Sequence, residues 1–136
     1  MNKMNKKGFT LIEMLVVIAI IAVLVSIVVP VVSNSTVKAA AAANAANLRT
    51  VAAQVGMWKL EDPTLSSVTC ENGVAKAKVN NVDRTCDAPA SKAVKTAKVN
   101  VASVQMTVTI TADNIVAKYG NYTIADFAAV ADGTDK

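Results

Sequence analysis

The sequence predicts an α+β chain: one long N-terminal helix, membrane-spanning in its first half, laid by its second half on a small antiparallel β-sheet. Three observations carry this. Residues 14–32 are apolar apart from Ser26 and Pro30, long enough at about 1.5 Å per residue to cross a bilayer. Leu48, Val51, Val55 and Trp58 then recur at spacings of three and four, which draws a helical stripe. Beyond Pro63 the apolar period falls to two, most clearly at Val99, Val101, Val104, Met106, Val108 and Ile110.

The chain opens on Lys3, Lys6 and Lys7. The positive-inside bias places such an N-terminus in the cytoplasm and the residues beyond the apolar run outside. Glu13 is the odd residue at the mouth of that run. A charge at the centre of a membrane helix costs about 2.5–3.5 kcal/mol, so it ordinarily has a partner or a function. Cutting after Gly8 would supply a partner, because the new α-amine of Phe9 would lie roughly one helical turn from the carboxylate. An ordinary secretory signal is cut after its apolar region, not before it. An uncut signal anchor, or a cut somewhere after Ser26, are the alternatives, and neither accounts for Glu13.

One helix is expected over residues 9–61. Leu, Ile, Val and Ala appear all round its first half, as a lipid-embedded helix requires. Pro30 removes a backbone hydrogen bond and should kink or loosen the preceding turn. The unbroken alanine run 39–43, followed by Asn44 and Asn47, has high helix propensity and small side chains that let other helices approach. The stripe ending at Trp58, a core anchor, is expected on the sheet and the alanine face against other helices. Asp62-Pro63 ends the helix, because proline biases the preceding residue away from helical geometry. Such a stem would be roughly 80 Å long, more than the remainder could cover, so it demands lipid or further subunits. The expected organisation is a leader at 1–8, a membrane or filament-core helix at 9–32, its amphipathic continuation at 33–62 and a sheet head at 63–136.

In the head, alternation over 73–80 leads to Asn80-Asn81, a hairpin turn into 82–86. Residues 98–111 form the best strand region, with a bend near Ala102-Ser103 where the parity flips. Residues 114–119, Gly120-Asn121 and 122–124 read as a further hairpin. The stretch 123–130 is ambiguous between strand and a short terminal helix. Three to five antiparallel strands are expected in all.

Composition excludes more than it assigns. The chain has 136 residues, 53% of them hydrophobic and 4% aromatic, which gives a small, finely packed core. The formal charge of +4 loses three lysines with the leader, leaving 11 basic against 10 acidic side chains, a net of +1. Bulk nucleic-acid affinity gains little support from that. With no histidine and no Cys-x-x-Cys pair, common triads and zinc sites find no footing, and no cofactor or metal is expected. Glu61 and Asp62 are expected to be solvated at a helix end. Lys92, Lys95 and Lys98 recur every three residues, and Lys76 and Lys78 share a strand face; these form a candidate basic patch for DNA or another anionic surface, against the default of a solvated face. Cys70 and Cys86 enclose 15 residues on the outward side, where a disulfide could stabilise by about 3 kcal/mol. The alternative is two buried free thiols.

Lys6-Lys7-Gly8-Phe9-Thr10-Leu11-Ile12-Glu13 and the apolar segment after it resemble the signature of type IV prepilins. The likeness is close from Lys6 to Pro30, looser to Trp58, and absent as a motif beyond. It implies the type IV pilin fold and cleavage after Gly8 by a prepilin peptidase that also methylates the Phe9 amine. An assembly ATPase and a platform protein would then move subunits from the cytoplasmic membrane into a homo-oligomeric helical filament. Glu13 would neutralise the Phe9 amine of a neighbouring subunit during that transfer. Members carry a proline at the place of Pro30, 21 residues after the cut residue, where it lets the helix bend or partly melt in the filament. The implied task is that of a major pilin in adhesion, aggregation or twitching. A competence-type pilin for DNA uptake, a type II secretion pseudopilin, and a membrane-anchored binding domain acting alone are the alternatives. Major secretion pseudopilins bind calcium near the C-terminus, which brings Asp126, Asp132 and Asp135 under consideration, although an acidic tail is the commoner reading.

Overall fold

The computed structural model describes residues 8–111 and 114–134. Helix α1 runs from Leu11 to Glu61, 51 residues, without a break at Pro30. The chain divides into two compact units after Ser35.

In the first unit α1 is apolar on every side, with a mean hydropathy of 3.4 across 18 residues, enough in length and composition to cross a membrane. Its side chains are exposed, from Leu11 at 83% to Val32 at 51%, so the described residues of this unit contain no core of their own. Two hydroxyls are satisfied inside the helix: Ser26 Oγ donates to Val23 O at 2.7 Å and Ser35 Oγ to Val31 O at 3.1 Å. Back-bonding of this kind lets serine sit where no water can serve it.

The second unit begins on the remainder of α1. Ala41, Asn44, Ala45, Leu48, Val51, Val55 and Trp58 are buried at steps of three and four, one face of the helix. The apolar stripe therefore extends into the alanine-rich stretch. Ala41 and Ala45 enter this chain's own core, and only the opposite alanines, Ala39, Ala42, Ala46 and Ala53, remain exposed. Past Glu61, Lys59 Nζ reaches Leu65 O at 3.0 Å, and Asp62 gathers the turn.

Among the described residues seven short strands come next: β1 (Thr69–Glu71), β2 (Val74–Val79), β3 (Val82–Asp87), β4 (Val94–Lys95), β5 (Asn100–Val101), β6 (Met106–Ile110) and β7 (Ile115–Tyr119). They make three antiparallel ladders, β1-β2-β3, β4-β5 and β6-β7, where the sequence suggests one sheet. Two hairpins in the first ladder turn on left-handed residues, Asn72 (φ 51°) with Gly73 (φ 78°) and Asn80 (φ 50°) with Asn81 (φ 65°). Two successive positive φ values match the right-handed twist of the flanking strands, which is why asparagine and glycine stand there. The expected bend near Ala102-Ser103 is a full interruption between β5 and β6. Strand β3 pairs on one side only and is exposed along almost its whole length.

After β7, Tyr119 and Tyr122 form a single bridge, and the chain enters helix α2 (Ile124–Asp132) in place of a second hairpin strand. Thr123 decides this. Its N–H and hydroxyl both donate to Asp126 Oδ2 at 2.7 Å, a start signal for a helix. Gly133 stops it in the left-handed region (φ 75°), its N–H bonded to Val130 O at 3.1 Å. A Cβ on Gly133 would stand 2.9 Å from Lys38 Nζ, an ammonium placed where the α2 dipole is negative. The core closes on Phe127, whose ring meets Tyr119 edge-on at 6.1 Å, while Tyr119 Oη donates to Pro89 O at 2.6 Å.

Candidate processing and assembly site

Gly8 and Phe9 lie outside the helix, and Phe9 is 82% exposed. Thr10 stands at the N-cap and Leu11 is the first helical residue. Glu13 falls on the third helical position and turns back on the cap. Its Oε2 accepts from Thr10 N at 2.7 Å and from Thr10 Oγ1 at 2.9 Å, while Glu13 N faces Thr10 Oγ1 at 3.3 Å. This is a capping box, which satisfies N–H groups that the first turn would otherwise leave bare. A carboxylate here also sits at the positive end of the helix dipole. The Thr-x-x-Glu spacing ahead of an apolar run is legible in the sequence, and it gives Glu13 a local role beside the one that a freed amine would add. The lysines of the expected leader lie outside the described residues. Pro30 sits within the continuous helix and, having no N–H, leaves Ser26 O without its usual helical donor.

The five lysines of the candidate patch are divided. Lys76 and Lys78 project from β2, whereas Lys92 precedes β4, Lys95 lies on it and Lys98 falls in the β4–β5 turn. Lys92 is engaged through its backbone: Asn44, fully buried, donates from Nδ2 to Lys92 O at 2.8 Å and accepts from Lys92 N at 2.7 Å. In the sequence Asn44 reads only as an interruption among alanines, because its partner is 48 residues away.

Cys70 and Cys86 are free thiols in this structure, so the disulfide expected from their loop length is not formed in it. Both are Cα partners of Ala75, one on each side of β2. Two strand spacings, about 9.5 Å, separate their backbones, beyond the reach of a disulfide. Burial raises both thiol pKa values, with the Cys70 thiol adding to the rise at Cys86.

Glu61 and Asp62 are more engaged than a solvated pair. Glu61 forms an exposed ion pair with Arg84 at 3.1 Å. Asp62, 9% exposed, accepts from Asn80 N at 2.9 Å and from Thr64 Oγ1 and N at 2.5 and 3.0 Å. The Asn80 N–H first, and then the Thr64 hydroxyl, hold its carboxyl below the usual range. Asn80 Nδ2 donates in turn to Glu61 O at 3.1 Å, so the β2–β3 turn is tied to the end of α1. Of the acids weighed for calcium, Asp126 is committed to capping α2 and Asp132 ends that helix, while Asp135 lies outside the described residues. Among the described residues no three Asp, Glu, Cys or His side chains gather as a metal would require.

Residues 3–29 match the family model described as the prokaryotic N-terminal methylation motif. Comparison with curated proteins and with solved structures finds no match. The matched stretch holds Gly8, Phe9, the Thr10–Glu13 cap and most of the apolar segment, and it ends one residue before Pro30.

Proposed function

We propose that this chain, a bearer of the type IV prepilin signature at residues 3–29, is the structural subunit of a type IV pilus. The coarser premise is a type IV pilin-like or pseudopilin protein, a structural family and not an enzyme family. In the finer reading a prepilin peptidase cleaves after Gly8 and N-methylates Phe9. The subunit waits as a single-pass protein of the cytoplasmic membrane, N-terminus inside, until an assembly ATPase and platform protein move it into a surface fibre for adhesion, aggregation or twitching.

The observation that carries this is the placement of Glu13 in the first turn of a helix whose next 19 residues expose apolar side chains on every side. Lipid and fibre core are equally apolar, so the transfer gains little hydrophobic energy. Packing and charge must then choose the neighbour. A carboxylate at the rim of the apolar segment, four residues from the new amine, supplies that charge.

Intact-mass measurement of purified protein tests the processing: a species beginning at Phe9 with one added methyl is expected, and a chain retaining Met1 or an unmodified Phe9 overturns it. Electron microscopy of sheared surface material, with mass spectrometry of the filaments, tests the assembly. Recovery of this chain as the bulk of a fibre is expected.

A further inference from the structure

Strand β2 is the middle strand of its ladder, flanked by β1 and β3. Its inward residues Ala75, Ala77 and Val79 are buried, and Lys76 and Lys78 alternate with them on the open face. Side chains two residues apart leave one face of a strand about 7 Å apart, so the two ammonium groups repel unless something lies between them. Among the described residues neither forms an ion pair with an acid. Asp83 is the register partner of Lys78 yet forms no ion pair with it, and Glu61 is taken by Arg84.

The Cα partners of Lys76 are Thr69 on β1 and Thr85 on β3, so a hydroxyl-bearing side chain flanks the ammonium on each side. Together with Ser67, Asp83 and Arg84 they line a groove of about 530 Å³. One acid, Asp83, shares the lining opposite Lys78, and Glu71 and Asp87 flank Val74 at the other end of the same face. The region is therefore local, unlike a basic surface that would take up any polyanion along its length. Among the described residues no aromatic side chain lines the groove, which argues against stacking on a base or a sugar ring as the means of recognition.

We propose that this groove seats a phosphate-type oxyanion between Lys76 and Lys78, with the hydroxyls of Thr85 and Ser67 donating to its oxygens and that of Thr69 turning to it from Lys76 O, 3.5 Å away. Two lysines act as point charges suited to a multiply charged group, and the hydroxyls supply neutral donors between them. The site is independent of the fibre assignment.

The test is an amide NMR titration of the full mature chain in uncharged detergent micelles, at constant ionic strength. One arm uses pyrophosphate and the other a tetradeoxythymidylate. Saturable shifts confined to residues 67–69, 76–78 and 83–85 are expected, weakened about tenfold or more by Lys76→Gln with Lys78→Gln and unchanged by Lys95→Gln. Tighter binding of pyrophosphate points to a free phosphate compound, and tighter binding of the oligonucleotide to a phosphodiester chain. Absence of saturation in both arms overturns the proposal, as does equal weakening by Lys95→Gln. The substituted lysines are exposed, so an unchanged thermal midpoint in the double variant is the check that it is folded.

Discussion

Thr10 donates both its backbone N–H and its hydroxyl to a single oxygen of Glu13, at 2.7 and 2.9 Å. The carboxylate is thus held at the helix start before any second chain is present. Capping and pairing with an amine are separable roles, because the cap needs only an acceptor whereas the pair needs a charge.

Glu13→Gln keeps an acceptor for Thr10 and removes the charge. The expected outcome is a subunit that reaches the membrane while fibre yield falls about 100-fold or more, since breaking a desolvated ion pair costs about 3–5 kcal/mol. Glu13→Val should behave alike. Thr10→Val loses the hydroxyl but keeps the charge, and should retain most of the yield. Quantifying sheared fibres beside membrane-fraction subunit checks all three, and normal yield from Glu13→Gln would leave the carboxylate with its capping role alone.

Asn44→Ala should destabilise the second unit by about 2–4 kcal/mol, because it abandons both backbone groups of Lys92 and opens a small cavity. Asn44→Asp can accept from Lys92 N but cannot donate to Lys92 O, and should recover little. Denaturant midpoints followed by Trp58 fluorescence, in detergent, measure both.

Asp62 and Asp126 have carboxyl groups held below their ordinary values by the hydrogen bonds they accept. A depressed folded value means that the stabilisation is full above the unfolded pKa of about 3.9 and is lost as pH falls through the folded value. Acid sensitivity should therefore begin below about pH 4, and Asp62→Asn should flatten the dependence of the thermal midpoint between about pH 5 and 2. Melting curves of wild type and variant across that range decide it.

Both cysteines should alkylate in unfolded protein without prior reduction, adding two labels by intact mass. Folded protein should react slowly, since burial raises both thiol pKa values. Cys70→Ser with Cys86→Ser should shift stability by less than the roughly 2–5 kcal/mol that loss of a native disulfide costs. A mobility change on reduction would contradict the register that sets Ala75 between them.

Local features of the fold are legible in the sequence. The extent of α1 follows from apolar continuity, a period of three and four, and the Asp62-Pro63 stop, and its end at Glu61 agrees with them. Asn80-Asn81 announces its turn by residue type. Asn72-Gly73, an even stronger hairpin signal, closes β1 on β2 and is easily passed over because β1 is only three residues long. Thr123 and Asp126 carry a capping box that separates helix from strand after Tyr122, at a place where periodicity alone does not. The Thr10–Glu13 box is equally readable but is masked by the stronger oddity of an acid beside lipid-length apolar sequence. The grip of Asn44 on Lys92, the division of strands into three ladders and the separation of Cys70 from Cys86 depend on pairings distant in sequence, for which no local pattern exists.

Strand β3 leaves one row of backbone donors and acceptors open, and within its six residues it carries Asp83, Arg84 and Asp87. Copies crowded at polymer density would meet such a border again and again, and a bare one would invite zipping into disordered aggregates. Stripping water from those three charges makes that union unfavourable. In the proposed fibre, the same charges would leave the ordering of neighbours to the apolar N-terminal segment.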